Sequence, residues 1–176
     1  MSFDSTIRGG VNLDGTLYGS ILNTGLARPF MLWSRGQDPN DNVTVIDPSW
    51  GAFLNHSTTK KDKLQLVLDG AEHYTFCDAP LLGELTGLSE LPGTESFFGA
   101  IEGRRVLVIL ASYVDAFFRY AFGEGIDPVL RGPSQSFPEV DFVSGGLKGF
   151  WKRRRASEEC LSRDVLEGVS VERGAE

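Results

Sequence analysis

Residues 64–75 read LQLVLDGAEHYT, and this stretch decides the fold class. Its first five residues form a nearly continuous apolar run, which is typical of a β-strand buried on both faces of a parallel sheet. The run ends at Asp69 and Gly70, and His73 follows three residues later. Functional side chains of open α/β sheets gather in loops just past the carboxyl ends of the strands. The stretch therefore predicts a buried strand that delivers His73 to a functional edge.

Two more strands and two helices are predicted around this stretch. Residues 7–13 predict a short strand, and residues 29–34, PFMLWS, predict a second buried one. Asp47 and Pro48 are residue types preferred at an N-cap and a first helical position, so a helix is expected from there to about residue 55. Residues 101–122 predict the longest helix from apolar side chains at helical spacing: Val106, Ile109, Leu110, Tyr113, Val114, Phe117 and Ala121. This alternation predicts an α/β architecture with a parallel sheet.

The remaining segments predict less regular structure. Residues 83–99 contain glycine and proline and are expected to be loop with one short helical turn. Residues 127–143 form a proline-rich extended stretch that closes a domain over residues 1–143. Residues 144–176 mix acidic and basic residues without apolar periodicity, which predicts a flexible polar tail. A docking or localisation patch at the run WKRRR, residues 151–155, is the alternative.

Composition and charge exclude several classes of function. The 176 residues are 41% apolar and 23% charged, as in a globular domain. The formal net charge is -7, and phosphate contacts need clustered Lys and Arg, so neither nucleic acid nor an anionic membrane is an expected partner. No apolar run reaches the roughly 18 residues of a membrane span, and no signal peptide is visible. Cys77 and Cys160 provide no metal or disulfide framework, and Cys77 is expected to pack as a small apolar residue near His73.

Asp14 and His73 are the candidate catalytic residues. Asp14 directly follows the first predicted strand, so both residues belong to strand-end loops. A carboxylate beside one imidazole nitrogen fixes the tautomer, and it stabilises the imidazolium that forms when the other nitrogen takes a proton from a nucleophile. The alternatives are a hydrogen-bonded loop histidine at His73 and an Asx-turn or helix-cap aspartate at Asp14. The second histidine, His56, lies in a polar run and is expected to be solvated.

Two segments carry a resemblance to a known family. Residues 10–15 read GVNLDG and residues 70–78 read GAEHYTFCD. Further similar segments, in chain order, are residues 28–33, 117–118 and 132–142. Together they resemble the plasma and intracellular type II platelet-activating factor acetylhydrolases of the α/β-hydrolase superfamily, over about residues 8–143. The resemblance implies the C-terminal part of an α/β-hydrolase fold, with its last three, mostly parallel strands and their flanking helices.

The resemblance also implies an activity. The implied enzyme is a carboxylic ester hydrolase in which Asp14 is the acid and His73 the general base of a Ser–His–Asp triad. Its implied substrate is a small-molecule ester or a short-acyl phospholipid, as for a 1-alkyl-2-acetylglycerophosphocholine esterase in lipid degradation. No metal or organic cofactor is implied. Family members include secreted and cytosolic proteins, so the resemblance leaves the compartment open.

The nucleophile of the implied triad is not found in this sequence. In this superfamily the serine precedes the acid and sits in G-x-S-x-G. Ser2 and Ser5 have no such surroundings, and Ser34 and Ser144 have the second glycine without the first. We therefore expect the nucleophile-bearing half upstream of Met1, an inactive chain with a bare strand edge, and a complementing N-terminal segment as a candidate partner. The alternatives are a non-catalytic remnant that acts through a protein partner, and an unrelated α/β binding module in which Asp14 and His73 lie apart.

Overall fold

The sheet has four strands in the part of the chain that the computed structural model describes, residues 4, 6–36, 46–56 and 62–147. They are β1 (Gly10–Leu13), β2 (Phe30–Arg35), β3 (Lys63–Leu68) and β4 (Val140–Gly146). Their order in the sheet follows the chain; β1, β2 and β3 are parallel, and β4 is antiparallel to β3. The α/β class and the three expected strands are confirmed, and β4 is an addition to them.

The described residues also form five α-helices. They are α1 (Ile21–Thr24), α2 (Pro48–Asn55), α3 (Ala79–Thr86), α4 (Glu95–Phe98) and α5 (Gly103–Ala121). The expected helices are α2 and α5. The Asp47 carboxylate caps α2 by accepting the backbone N–H of Ser49 at 2.8 Å, as the N-cap preference predicts. The chain leaves α5 through Gly123, whose φ is +94°.

The prediction of a mostly irregular segment over residues 83–99 was wrong at its start. The helix α3 runs to Thr86 and ends at Gly87, which has the left-handed conformation of a helix C-terminus. Gly83 lies inside this helix, and a Cβ there would come within 3.1 Å of the Phe98 ring. The lack of a side chain at Gly83 therefore permits close packing against α4, and this glycine does not mark a turn. Sequence reasoning took that glycine for a loop signal.

The predicted tail boundary at residue 144 was also wrong. Residues 144–146 belong to β4, and residue 145 pairs with Leu64. Gly145 has a φ of +89° beside a register shift in the β3–β4 ladder, and a Cβ there would collide with the backbone of Lys63. The Ser-Gly-Gly sequence is thus part of a bulged edge strand. The tail from residue 148 onward lies outside the described residues.

Two apolar clusters form the core, one against each face of the sheet. Met31 and Trp33 pack with Tyr113 and Phe117 of α5. Phe30 and Leu32 pack in the other cluster, which includes Trp50 of α2. Successive residues of β2 therefore point into different clusters, as strand geometry requires. Burial on both faces is what the continuous apolar runs predicted.

Tyr113 gives this fold a testable pH dependence. Its ring is fully buried, and its hydroxyl has no hydrogen-bond partner among the described residues. Burial, with the nearby charge of Glu139, raises the pKa of Tyr113 to about 12. The folded chain therefore holds the phenolic proton more tightly than the unfolded chain does. This contribution to stability is complete below pH 10.0 and is lost as the pH rises towards about 12.

We expect Tyr113→Phe to stabilise the chain by up to about 1 kcal/mol at neutral pH, because it removes an unpaired buried hydroxyl. The variant should also lose less stability than the parent chain above pH 10.0. Urea unfolding at neutral and alkaline pH measures both effects, with the exposed Tyr18→Phe as the matched control. A destabilised Tyr113→Phe with an unchanged alkaline slope would contradict this account.

Candidate active site

Asp14 is held at the carboxyl end of β1 in an unusual backbone conformation. Its φ is +51°, a region that a non-glycine residue rarely adopts and that costs on the order of 1–3 kcal/mol. Its backbone N–H donates to the carbonyl of Trp33 at 2.8 Å, and the next residue, Gly15, donates its N–H to the side chain of Asn12. The indole N–H of Trp50 donates to the carbonyl of Gly15 at 2.9 Å. The acid loop is thus fixed from β2 and from α2.

His73 lies at the start of a short 3₁₀ turn, His73–Phe76, just past the end of β3. The residue before it, Glu72, donates its backbone N–H to the hydroxyl of Thr75 at 2.8 Å, and the Glu72 carboxylate accepts the backbone N–H of Thr75. The fully buried Thr75 hydroxyl donates in turn to the carbonyl of Phe98 at 2.7 Å. This reciprocal capping box and its anchor to α4 hold the histidine turn against the sheet.

The two strand-end residues meet across β2. The Nδ1 atom of His73 lies 2.9 Å from Oδ2 of Asp14. The Asp14 side chain is only 9% exposed, whereas that of His73 is 56% exposed. Nε2 of His73 has no hydrogen-bond partner among the described residues, so the imidazole is oriented on one side and open on the other. An unrelated module with Asp14 and His73 apart does not fit this geometry.

Two known proteins are similar to this chain. A probable 1-alkyl-2-acetylglycerophosphocholine esterase from Arthroderma benhamiae is 32% identical over 150 residues, which make up 80% of this chain and 38% of that relative. The solved structure of a ferulic acid esterase from Streptomyces cinnamoneus matches with a TM-score of 0.66 and 25% identity, and the match covers 80% of this chain and 41% of that one. No family model matches the chain.

The sequence match to the fungal protein confirms the resemblance drawn from residues 8–143. Over 80% of its length the chain is similar to a platelet-activating factor acetylhydrolase type of esterase. The match to the Streptomyces esterase agrees with an α/β-hydrolase type of fold. The chain spans less than half the length of either similar protein.

Arg35 and Glu72 lie next to the Asp14–His73 pair, and sequence reasoning missed both. Arg35 ends β2, with its Nε 3.6 Å from Oδ2 of Asp14 and its Nη1 3.5 Å from Oε2 of Glu72. The strand-end rule that selected Asp14 applies equally to Arg35, which is the last residue of the middle strand. The strand-end rule could therefore have identified Arg35 from the sequence.

The outer side of the histidine turn is aromatic. Tyr74 stacks on Phe97 with ring centroids 4.1 Å apart, and both side chains are nearly half exposed. Cys77, expected to be packed as an apolar residue, is exposed instead. The 3₁₀ turn points it outward, and its thiol donates to the carbonyl of Tyr74 at 3.1 Å. His56, expected to be solvated, directly follows α2 and is partly buried.

No serine hydroxyl bonds to His73 in the part of the chain that the structure describes. Ser34 is fully buried within β2, and its hydroxyl faces the carbonyl of Leu66 at 3.4 Å. Ser144 bonds to the side chain of Gln65 from the antiparallel strand β4. The described residues likewise hold no group of three or more metal-binding side chains, and none of their helices is long and apolar enough to cross a bilayer.

Proposed function

We propose that this chain carries the acid and the general base of a serine carboxylic ester hydrolase. Asp14 is the acid, His73 is the base, and the nucleophilic serine belongs to a segment that precedes this sequence. The observation that carries the proposal is the 2.9 Å contact between Nδ1 of His73 and Oδ2 of Asp14. The esterase names of both similar proteins support the same reaction class.

The proposed reaction uses the open side of the imidazole. The serine hydroxyl attacks the ester carbonyl and gives its proton to Nε2 of His73, while Asp14 stabilises the imidazolium through Nδ1. His73 then returns the proton to the leaving alcohol, and an acyl-enzyme remains. Water activated by the same nitrogen hydrolyses the acyl-enzyme and regenerates the serine. The oxyanion donors come from the nucleophile turn and an earlier strand–helix loop, which also precede this sequence.

The proposed substrate class is a phospholipid with a short acyl chain at sn-2. It rests on the printed name of the fungal relative, which describes a 1-alkyl-2-acetylglycerophosphocholine esterase. The proposed reaction belongs to lipid degradation. The half-exposed Tyr74 and Phe97 rings beside His73 offer an apolar wall to an ester substrate.

The proposed partner is a parallel strand that pairs with β1. In the described sheet, β1 pairs with β2 on one side and has no strand on the other. An unpaired edge presents backbone N–H and C=O groups to another strand. The residues of β1 are all only partly buried, whereas every residue of β3 is buried. This contrast supports an occupant that covers β1.

A fluorophosphonate probe tests the proposal by labelling activated serines. We expect no serine adduct on residues 1–176 alone, read by intact mass. Once the chain is combined with the part of the fungal relative outside the matched region, a single adduct should form on a serine of that part. His73→Ala should abolish this labelling, because no base then activates the serine.

The alternative is a non-catalytic remnant, favoured by the lack of a G-x-S-x-G motif in residues 1–176. A remnant would give no labelling even in the combined protein. An adduct on a serine of the chain alone, lost in His73→Ala, would instead reveal an internal nucleophile and contradict the proposed upstream serine.

A further inference from the structure

Arg35 stands between the two residues of the proposed acid–histidine pair. It is the last residue of β2, the strand that separates the Asp14 strand from the His73 strand. The parallel register places the carboxyl ends of the three strands at one edge of the sheet. A cationic side chain at the middle strand end can therefore reach both neighbouring loops at once.

The contacts of Arg35 go to those two loops. Its Nε lies 3.6 Å from Oδ2 of Asp14, the same oxygen that faces Nδ1 of His73. Its Nη1 lies 3.5 Å from Oε2 of Glu72, which caps the histidine turn. Nε is buried and makes no hydrogen bond to the described residues, so its contact with Asp14 is an ion pair without a hydrogen bond. The guanidinium group thus faces the Asp14 carboxylate on one side and the Glu72 carboxylate on the other.

The backbone of Arg35 is confined as well. Its N–H points at Oδ1 of Asp14 at 3.5 Å. A Cβ on the next residue, Gly36, would lie 2.9 Å from a carboxylate oxygen of Asp69 and 3.0 Å from its Cα. The chain after Arg35 is therefore pressed against the end of β3. This packing restricts the backbone position of Arg35. It therefore favours an ordered Arg35 side chain between the two loops over a mobile surface cation.

We propose that Arg35 is a positioning residue that fixes the Asp14 carboxylate and ties it to the histidine turn through Glu72. This inference rests on the proposed role of the Asp14–His73 pair. Arg35 holds Oδ2 in place for Nδ1 of His73, and it prevents the acid loop and the histidine turn from moving independently. It takes no proton and touches no reacting atom.

Proton NMR of the whole chain tests this role, because an imidazole N–H held by a carboxylate gives a strongly downfield resonance. We expect the parent chain to show this resonance for His73 and Asp14→Ala to lose it. In Arg35→Gln the resonance should exchange with water about tenfold faster or more, because contacting residues are energetically coupled. Arg35→Lys keeps the charge without the planar fork, so its exchange rate should be intermediate.

Two comparisons separate positioning from a general structural effect. Arg119 of α5 forms an exposed ion pair with Glu124, and Arg119→Gln should leave the His73 resonance unchanged. Urea unfolding of Arg35→Gln should stay close to that of the parent chain, whereas a merely structural arginine would move it. A resonance lost in Asp14→Ala but unaffected in Arg35→Gln would overturn this inference alone. A parent chain without the resonance would overturn the acid–histidine pair and this inference together.

Discussion

Residues 1–176 alone are expected to hydrolyse a short-chain ester no faster than the buffer background. Combining the chain with a segment that supplies the serine and the oxyanion donors should raise the rate by at least about a million-fold. Loss of a serine nucleophile costs on the order of 10⁶ in turnover in a well-studied protease. Loss of one oxyanion donor costs about a further 10²-fold or more. The oriented but unoccupied Nε2 side of His73 cannot replace either group.

Co-expression provides the measurement. The chain is produced with the part of the fungal relative that lies outside the matched 38% of its length, and hydrolysis of p-nitrophenyl acetate and of a 2-acetyl phospholipid is followed. His73→Ala in the combined protein should return the rate to that of the chain alone. His56→Ala is the matched control, because His56 is the other of the two histidines and lies at the end of α2. Esterase activity in the chain alone that depends on His73 would contradict this prediction.

The β1 edge explains why the two parts should assemble. A strand added beside β1 would extend the parallel sheet and satisfy the free side of its backbone. The same addition brings the carboxyl end of the new strand to the edge where Asp14 and His73 meet. In open α/β sheets that edge holds the functional loops. Under the proposed function, one added strand would therefore complete both the sheet and the triad.

Much of this fold and half of its site could be predicted from local sequence patterns. The apolar runs located β2 and β3, and the cap preferences located α2, because each signal depends on a few adjacent residues. The strand-end rule selected Asp14 and His73, and the structure brings them to 2.9 Å. Their roles in catalysis stay a prediction.

The missed features depend on contacts between distant residues. Gly83 and Gly145 are glycines because Phe98 and Lys63 approach them closely, which no local pattern reports. The position of Arg35 between the two loops is apparent only when β2 is placed between β1 and β3. A strand order is needed before a middle-strand side chain can be assigned to two loops. The sequence therefore contains Arg35, but only the strand order shows which two loops it contacts.

Asp14→Asn is expected to lower the turnover of the combined protein by about 10⁴-fold, the loss seen when the acid of a serine triad becomes an amide. The new amide group can donate to Nδ1 of His73, which leaves Nε2 protonated and unable to accept the serine proton. Asparagine tolerates the left-handed conformation that Asp14 adopts at a φ of +51°. The fold should therefore survive, and thermal unfolding of the variant should stay near that of the parent.

Asp69→Asn is the matched control for this substitution. Asp69 also follows a strand end, next to β3, and its carboxylate makes no hydrogen bond to the other described residues. The Asp69→Asn variant should keep its turnover within about twofold of the parent value, because surface substitutions outside hydrogen-bond networks usually have small effects. Equal losses in Asp14→Asn and Asp69→Asn would indicate a general effect of charge at this edge.

The double variant decides whether Asp14 acts through His73. Residues of a triad work as a unit, so their effects on turnover do not add. If Asp14 serves only to orient the imidazole and stabilise its charge, then Asp14→Asn should reduce turnover little further in a His73→Ala background. A full additional 10⁴-fold loss there would show that Asp14 supports turnover independently of His73, and the 2.9 Å contact would lose its proposed meaning.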